Sequence, residues 1–475
     1  MQNLFNQFYG ISPVWLQNFG ISTYGLLWRH RRFGGRFRSL IEEFTARENY
    51  SSSEWEQYQT LQLRSLLKYA IQFVPHYRKS LFQTIQNQED LSRFSLKELP
   101  NLPLLEKDTI RKNPESMIST NVKRNKLHAY HTSGTTGTPI AIMFTNDMHR
   151  RWSAAYEVRV RRWAGLHYKM SRAMIGGRLV VPKAKAEPPF WRYNLAERQL
   201  YMSAFHISPQ NAQHYVQALN HYQPDYLVGY ASSHYFLARM INEQGLDVIQ
   251  PKAVLTSSEN LTDEMRNTLE TVYRCPVFDA YSGVEANCLA SECEYHRLHV
   301  SPDVGIVELI DENGHPVKAG EPGEIVATGL LNFEQPLIRY RTGDLAVWSD
   351  ETCLCGREMP IIHELVGRLE DTVIGLDGRE MFRFHGIFVG LPHVREGQVI
   401  QETLSHIRLK LVVDEDFNDL DRQVIAKRFE ERLGGVDLTF DFVDKIERTE
   451  RGKFRAVISN VKRDPSTIRI ENSAD

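Results

Sequence analysis

Two stretches of the chain carry residue types and spacings that could do chemistry. The first is His131-Thr132-Ser133-Gly134-Thr135-Thr136-Gly137-Thr138-Pro139, where two glycines stand among Ser and Thr hydroxyls. Such a small, mobile loop can wrap a polyphosphate with backbone N–H groups and hydroxyls. It is not the Gly-x4-Gly-Lys-Ser/Thr phosphate loop, because no lysine follows Gly137. The plainer alternative is a flexible Ser/Thr/Gly turn. The second stretch pairs Cys293-x5-His299 with Cys353-Leu354-Cys355 and offers four nitrogen and sulfur ligands, with Gly356 supplying a turn after the last thiol. Zn²⁺ takes tetrahedral sets of this kind, and four protein ligands leave no open position, so such an ion would be structural. The alternative is a group of reduced cysteines in a β-rich region, with His296 a rival ligand. Cys275 reads as a core thiol.

The elements that must position these residues follow from pattern. Ser53 to Ala70 has a helical apolar stripe and a Ser-x-x-Glu-like start. Between 203 and 285 the text alternates. Helices are expected over Ser208 to His221, Ser232 to Glu243 and Thr262 to Tyr273. Strands are expected over Asp225 to Tyr230, Lys252 to Ser257 and Pro276 to Tyr281. Alternation implies a parallel sheet with right-handed crossovers, and ligands then sit outside the carboxyl ends of strands. Two polar clusters fall at such ends, Ser257-Ser258-Glu259 and Tyr281-Ser282-Gly283-Val284-Glu285. Residues 300–350 turn strand-like and Gly-punctuated. After Asp371 the order is strand, short helix, strand (Ile407 to Val413), helix (Leu420 to Leu433), strand (Asp437 to Phe442), a small α+β unit of ferredoxin-like length.

Composition narrows the class without naming a function. At about 150 residues per domain, 475 residues suggest three units or two large ones. The balance of 57 basic against 59 acidic residues gives a net charge of −2, which argues against a nucleic-acid-binding footprint. No apolar run approaches the roughly 20 residues that span a bilayer. The first residues lack a basic region followed by an apolar stretch, so no signal peptide is read, and five cysteines are expected as thiols in a reducing cytoplasm. The first 40 residues combine many aromatics with Arg29-His30-Arg31-Arg32, Arg36 and Arg38. The expected reading is a solvated basic face beside aromatics packed on the body, and the alternative is a membrane-surface or partner contact.

The glycine loop does not stand alone. After it come Tyr281-Ser282-Gly283-Val284-Glu285, Tyr340-Arg341-Thr342-Gly343-Asp344, Gly367-Arg368-Leu369-Glu370-Asp371 and Arg451-Gly452-Lys453, in that order. From about residue 50 onward this set resembles the adenylate-forming superfamily of acyl-CoA synthetases, adenylation domains and luciferases. Within it, Val74-Pro75-His76-Tyr77-Arg78, Pro336-Leu337-Ile338-Arg339 and the ending Arg448 to Arg455 are similar to the phenylacetate-CoA ligase branch, especially the ligase-like proteins of capsular polysaccharide clusters.

The resemblance implies an α/β fold. A large N-terminal adenylation domain over 1–366 would hold a helical part (1–100), an α/β core with parallel sheets and a β-rich part (300–366). A hinge over 367–371, with Glu370 at the family's hinge position, would precede a mobile, ferredoxin-like C-terminal domain over 372–475. It further implies ATP-dependent activation of a carboxylic acid to an acyl-adenylate with release of pyrophosphate, then acyl transfer. Lys453, Glu285 and Thr136 would be catalytic. Thr132, Ser133, Gly134, Thr135, Thr136, Gly137 and Thr138 would hold phosphates. Ser257, Ser258, Glu259, Asp279, Ala280, Tyr281 and Ser282 would form the nucleotide side, where Ser-Ser-Glu stands in place of the family's usual Gly-Ala/Gly-Glu. Asp344 would accept hydrogen bonds from the ribose hydroxyls, Arg368 would approach ribose or phosphate, and Glu285 would help hold Mg²⁺. The branch carries a Cys/His and Cys-x-Cys arrangement like the zinc-ligand set here.

Implied cofactors are therefore ATP/AMP, Mg²⁺, a structural Zn²⁺ and, for one acceptor, CoA. Implied partners are a carboxylic acid and an acyl acceptor that is an amine, a hydroxyl or CoA, with no nucleic acid and no membrane span; a homodimer is compatible. The acid pocket is expected over 176–206 and 230–236, with Phe190, Trp191, Tyr193, Tyr201, Phe205, Tyr230 and Tyr235 as aromatic lining or core. Two other readings stand beside this one: a CoA-forming aryl ligase, and a non-catalytic ATP-binding relative.

Overall fold

The helical N-terminal part begins with α1 (Val14–Phe33), α2 (Phe37–Ala46) and α3 (Ser52–Phe73). The computed structural model describes residues 9, 12–81, 84–132, 140–176, 178, 180–181, 187–368, 373–376, 380–381, 387–388, 391, 393–433, 435–449 and 454–461. Helix α3 starts one residue before the expected Ser53 and runs three beyond Ala70, with a reciprocal capping box between Ser51 and Glu54. It buries Leu63, Leu66, Leu67 and Ala70, one stripe at helical spacing, into a core shared with Tyr226, Leu255 and Ala280 of the sheet. A hairpin of β1 (His128–His131) and β2 (Ala141–Phe144) follows, then α4 (Asn146–Tyr156), which runs on as one π turn, Glu157–Arg161.

The main body is a single 12-stranded sheet. Its strands are β3 (Arg172–Gly176), β4 (Trp191–Asn194), β5 (Gln199–Ser203), β6 (Tyr226–Gly229), β7 (Val254–Ser257), β8 (Val277–Ser282), β9 (Leu289–Glu292), β10 (Leu298–Val300), β11 (Gly305–Ile310), β12 (Pro322–Gly329), β13 (Tyr340–Ser349) and β14 (Ile361–Arg368). The spatial order is β11-β12-β13-β14-β10-β9-β8-β7-β6-β3-β5-β4. Strands β5, β3, β6, β7 and β8 run parallel, as the strand–helix alternation requires. From β8 outward every pairing is antiparallel. The β-rich part is thus hydrogen-bonded to the parallel part through the β8–β9 pair rather than standing as a separate sheet.

Helices α5 (Ala212–Tyr222), α6 (Ala231–Glu243) and α7 (Asp263–Tyr273) are the crossovers. Helix α5 starts four residues later than its apolar pattern suggests, because Ser208 to Asn211 close a turn on the Ser208 carbonyl. Helix α7 starts after Thr262, whose hydroxyl accepts from Met265 N–H. These helices bury Tyr215, Leu237, Leu269 and Tyr273 against the face of the sheet opposite α3. The carboxyl ends of β3, β6, β7 and β8 therefore open along one edge. At Gly229, closing β6, a Cβ would lie 1.7 Å from the Ile175 carbonyl oxygen, so only glycine fits.

A smaller C-terminal sheet domain follows the short pair β15 (Val373–Ile374) and β16 (Glu380–Met381). Its strands β17 (Val394–Gln401), β18 (His406–Val413), β19 (Asp437–Phe442) and β20 (Val457–Ser459) lie in the order β19-β18-β17-β20, and helix α8 (Asp419–Leu433) covers them. Ile407, Leu409 and Leu411 alternate inward from β18 and meet Ile425 and Phe429 of α8.

Candidate active site

Strand β8 carries the first part of the site. The Tyr281 hydroxyl donates to the Asp344 carboxylate at 2.7 Å, and the Asp344 N–H donates to the Thr342 hydroxyl at 3.1 Å. Burial and the adjacent Asp344 charge hold the Tyr281 phenol well above its ordinary range. Just past β8, the Glu285 carboxylate accepts from the Tyr340 hydroxyl at 3.1 Å. Tyr340 and Asp344 both belong to β13, so two motifs more than fifty residues apart in sequence converge on two carboxylates. Asp344 is also in register with Arg368 on β14.

Strand β7 supplies the second part. Ser258, after its end, takes a left-handed φ of 71°, which turns the chain and aims Glu259 back at α6. The Glu259 carboxylate accepts from Ser232 N–H at 3.0 Å and from the Ser232 hydroxyl at 2.6 Å. Its other oxygen accepts from Phe454 N–H at 3.0 Å. Phe454 is the residue after Lys453, which itself lies outside the described residues. The Phe454 ring meets Phe236 of α6 edge-on at 5.8 Å, and the Arg448 guanidinium sits 4.8 Å from the Phe454 ring and 5.0 Å from that of Phe236. Arg448 is held in turn by both oxygens of Glu396, at 2.9 and 2.8 Å. Arg239 of α6 donates to the Arg395 carbonyl at 3.2 Å. The C-terminal domain is therefore docked on α6, beside the carboxyl ends of the parallel strands.

Between β7 and β8, the Thr256 hydroxyl donates to Asp279 at 2.7 Å, and Asp279 N–H donates to Glu292 at 2.9 Å. Burial and the Glu292 charge raise the Asp279 carboxyl to about 7. Of the glycine loop, Ser133, Gly134, Thr135, Thr136, Gly137 and Thr138 lie outside the described residues. Its two ends are tied together: Thr132 N–H donates to the Ile140 carbonyl at 3.1 Å, and Ile140 N–H donates to the Thr132 hydroxyl at 3.2 Å. The hinge residue Glu370 is also outside them, whereas Gly367 is present with a φ of 125° that suits glycine.

Some site groups escaped the sequence reading. Lys107 donates to the Thr342 carbonyl at 2.7 Å, next to Gly343. Cys288 is buried close enough to Asp344 and Glu285 for their charges, with burial, to push its thiol up. Neither residue sits in a motif, so no sequence signal could have found them. The aromatic pocket expectation is partly corrected. Phe190 is fully buried between His206 and Tyr215, and Tyr193 stacks on Tyr222 at 4.6 Å. Trp191 packs on the same core. Trp191 and Tyr193 share one face of β4, and Phe190, just before the strand, joins the same core with Tyr215 of α5, away from the ligand edge. Tyr230 and Tyr235 stay at that edge, and Tyr235 donates to Glu264 at 2.6 Å. Tyr201 donates to Glu197 at 3.4 Å and accepts from Arg178 at 3.0 Å, so its surroundings are charged rather than apolar.

The second chemical stretch is assembled far from this edge. One ligand atom each from Cys293, His299, Cys353 and Cys355 lie within 4.8 Å of one another. Cys293 and Cys353 Sγ are 3.6 Å apart, and Cys355 Sγ is 3.3 Å from His299 Nε2. A tetrahedral zinc with sulfur at about 2.3 Å and nitrogen at about 2.0 Å requires edges of roughly 3.5–3.8 Å, so the donors are already near their places. Tyr295 N–H reaches Cys293 Sγ at 3.4 Å and Cys355 N–H reaches Cys353 Sγ at 3.5 Å, which stabilises thiolate charge. His299 Nδ1 faces the Met359 carbonyl at 3.4 Å, which leaves Nε2 as the nitrogen that a metal would take. His296, the rival, instead faces Glu292 at 3.3 Å and stacks on Phe278 at 5.2 Å. Cys275 is a buried core thiol, pushed up to about 12 by burial.

A mixed sheet with a ligand edge along its parallel half, and a small domain docked there, is the fold of the adenylate-forming ligases. A crystal structure of 2-hydroxyisobutyryl-CoA ligase, in the postadenylation state with an acyl-AMP, superposes with a TM-score of 0.70 at 20% identity, covering 87% of this chain and 91% of that one. The same ligase with 2-HIB-AMP and CoA in its thioesterification state gives 0.57 at 21% identity, covering 87% and 91%. The chain is a homologue of protein CapK of Staphylococcus aureus, 28% identical over 97% of this chain and 100% of that protein. It is likewise a homologue of the phenylacetate-coenzyme A ligase of Pseudomonas putida, 27% identical over 71% of this chain and 75% of that enzyme. The CapK C-terminal domain family matches residues 380–460.

Proposed function

We propose that the chain activates a carboxylic acid with ATP to an acyl-adenylate, releases pyrophosphate, and passes the acyl group to a nucleophile. The observation that carries this reading is the Phe454–Glu259 hydrogen bond, which brings the residue next to Lys453 to the ligand edge of the sheet. A lysine there suits the substitution at the α-phosphorus: its flexible ammonium can follow the charge shared by carboxylate and α-phosphate oxygens. Asp344 faces a nucleotide ribose as an acceptor-only group, with Tyr281 fixing its orientation. Ser257, Ser258, Ala280 and Ser282 close the adenine side, and residues 132–138 cradle the terminal phosphates.

Glu285 fits Mg²⁺, a hard cation that takes one or two carboxylates together with substrate phosphates, and which would neutralise phosphate charge there. Tyr340 positions the Glu285 carboxylate. The three thiols and His299 fit a structural zinc by donor type and separation. Rotation of the C-terminal domain about 367–371 would then separate adenylation from acyl transfer.

For the acceptor, an amine or hydroxyl of a polysaccharide sugar is the first reading, supported by the alignment with CapK across nearly the whole chain. CoA is the second, favoured by the CoA-bound ligase that shares the fold. A panel of carboxylic acids read by pyrophosphate release, with and without CoA and with hydroxylamine as a trap, tests both. Release with hydroxylamine reports adenylation whichever acceptor is used; acyl-CoA formed in the CoA arm supports the second reading, and adenylation with no acyl-CoA formed supports the first. If Lys453→Ala leaves acid-dependent AMP formation unchanged, the role given to Lys453 is wrong.

A further inference from the structure

Among the described residues, the N-terminal helix carries an unpartnered face that the ligase reading does not use. One side of α1 lies along edge strand β4, where the Asn18 side chain accepts from Tyr193 N–H at 3.0 Å and the Ser22 hydroxyl accepts from Leu195 N–H at 3.0 Å. Gln17 and Gly25 are buried on that side. The opposite side is apolar and open. Trp15 is 69% exposed, Phe19 66%, Leu26 62%, Leu27 66% and Leu16 40%. At 3.6 residues per turn these five fall within an arc of about 120°, which also holds the exposed Thr23 between Phe19 and Leu26. Leu195, 71% exposed, extends the patch from the neighbouring turn. The sequence reading expected the N-terminal aromatics to pack on the body. Trp28, Phe33 and Phe37 do, against Tyr130, His149 and Tyr168, whereas Trp15 and Phe19 do not.

Charge says what could cover the stripe. Residues 1–28 contain no charged side chain, and 29–41 contain five arginines, one histidine and no acid; the first carboxylate is Glu42. That is +5 over 41 residues in a chain whose net charge is −2. Arg29, His30, Arg36 and Arg38, which follow the stripe in sequence, are exposed; Arg29 donates to the Ala196 carbonyl at 2.8 Å and Arg36 meets Glu43 at 3.4 Å. A second copy would bring another arginine-rich segment, acid-free through residue 41, against the first. An anionic bilayer surface offers acyl chains for the Trp, Phe and Leu face and negative headgroups for the arginines. We propose that α1 is an interfacial helix, which seats the protein on an anionic lipid surface through Trp15, Leu16, Phe19, Leu26 and Leu27, with Arg36 and Arg38 reaching headgroups. Its consequence is that catalysis is held next to a membrane, where an acceptor carried on a lipid could be reached.

The test is co-sedimentation of the full chain with phosphatidylcholine vesicles, with and without phosphatidylglycerol, at low and high salt. The expected result is binding that depends on phosphatidylglycerol and weakens with salt. Trp15→Ser/Phe19→Ser/Leu27→Ser is expected to weaken it roughly ten-fold or more, with acid-dependent pyrophosphate release unchanged. Arg36→Gln/Arg38→Gln leaves the apolar stripe intact and is expected to remove most of the preference for anionic vesicles, which keeps the test decisive if the triple variant does not fold. Absence of wild-type binding to either vesicle overturns the proposal. So does equal binding by wild type and the arginine variant, and so does a dimer in light scattering that the triple variant dissociates. The vesicle-binding and light-scattering readouts do not depend on the acid or acceptor, so their failure is separable from that of the ligase reading.

Discussion

The Phe454 N–H donates to the Glu259 carboxylate across 195 positions of sequence, at 3.0 Å. The same carboxylate caps the start of α6 through Ser232. One side chain thus couples the strand end, the helix beside it and the C-terminal segment that bears Lys453. Glu259→Gln removes the charge that strengthens all three bonds, each worth about 1.5–3 kcal/mol when one partner is ionised. We expect stability to fall by about 2 kcal/mol in thermal melts and acid-dependent pyrophosphate release to fall by roughly ten-fold or more. Acyl transfer from a supplied acyl-adenylate should be much less affected. Equal loss in both half-reactions would show that Glu259 does not act through docking of the C-terminal domain.

Asp344 and Tyr281 should separate into ligand contact and support. If Asp344 accepts from the ribose hydroxyls, Asp344→Asn loses bonds worth about 1.5–3 kcal/mol and the KM for ATP rises roughly ten- to hundred-fold. Tyr281→Phe removes only the 2.7 Å bond that orients the carboxylate. It should lower stability by about 1 kcal/mol and move the ATP KM by a few-fold at most. Steady-state kinetics against ATP, with the acid saturating, distinguishes them; equal KM effects would place Tyr281 on the nucleotide itself.

How much of this was legible in the sequence depends on the range of the interaction. Local signals read well. The Ser51–Glu54 capping box marks α3, and β19 occupies Asp437–Phe442, the predicted stretch. The motifs also named Tyr281, Glu285 and Asp344, which the fold brings together through Tyr340 and β13, and Val74-Pro75-His76-Tyr77 touches Pro336-Leu337-Ile338, since Tyr77 donates to the Pro336 carbonyl and accepts from Ile338 N–H. Long-range choices did not read. Whether Trp191 and Tyr193 face a ligand or a helix is set by the pairing of β4 with β5, where a one-residue slip would flip every side chain. The Glu259 dock, the Cys288 thiol beside two carboxylates and the exposed stripe of α1 are likewise properties of placement rather than of local pattern.

The zinc-ligand set should behave as a structural clip between the β9–β10 turn and the β13–β14 turn. We expect one zinc per chain by elemental analysis. Cys355→Ala should lose the metal, and the melting temperature should fall steeply, because binding free energy of a structural zinc, about 10–16 kcal/mol in small peptides, is folding free energy. The adenylation rate per folded molecule should be retained at low temperature. His296→Ala should keep the metal, since His296 faces Glu292 instead. Metal-free protein with an unchanged melting temperature would leave the four residues as ordinary reduced side chains.

Asp279 gives the chain a pH dependence whose sign is fixed. Its carboxyl is raised from 3.8 to about 7 in the folded protein by burial and by the Glu292 charge. The folded state therefore holds this proton over a range where the unfolded chain has released it, so stability falls as pH rises from about 4 to about 7 and is level above. Asp279→Asn keeps an acceptor for the Thr256 hydroxyl, which lies 2.7 Å away, but has no charge to bury. Relative to wild type, the variant should gain melting temperature at pH 8 and gain little at pH 4. The difference between the two melting curves isolates this residue from every other titrating group. If wild type and variant melt in parallel across that range, the Asp279 carboxyl is ionised throughout and the field of Glu292 is offset by a donor such as Arg266, which already donates to Glu292.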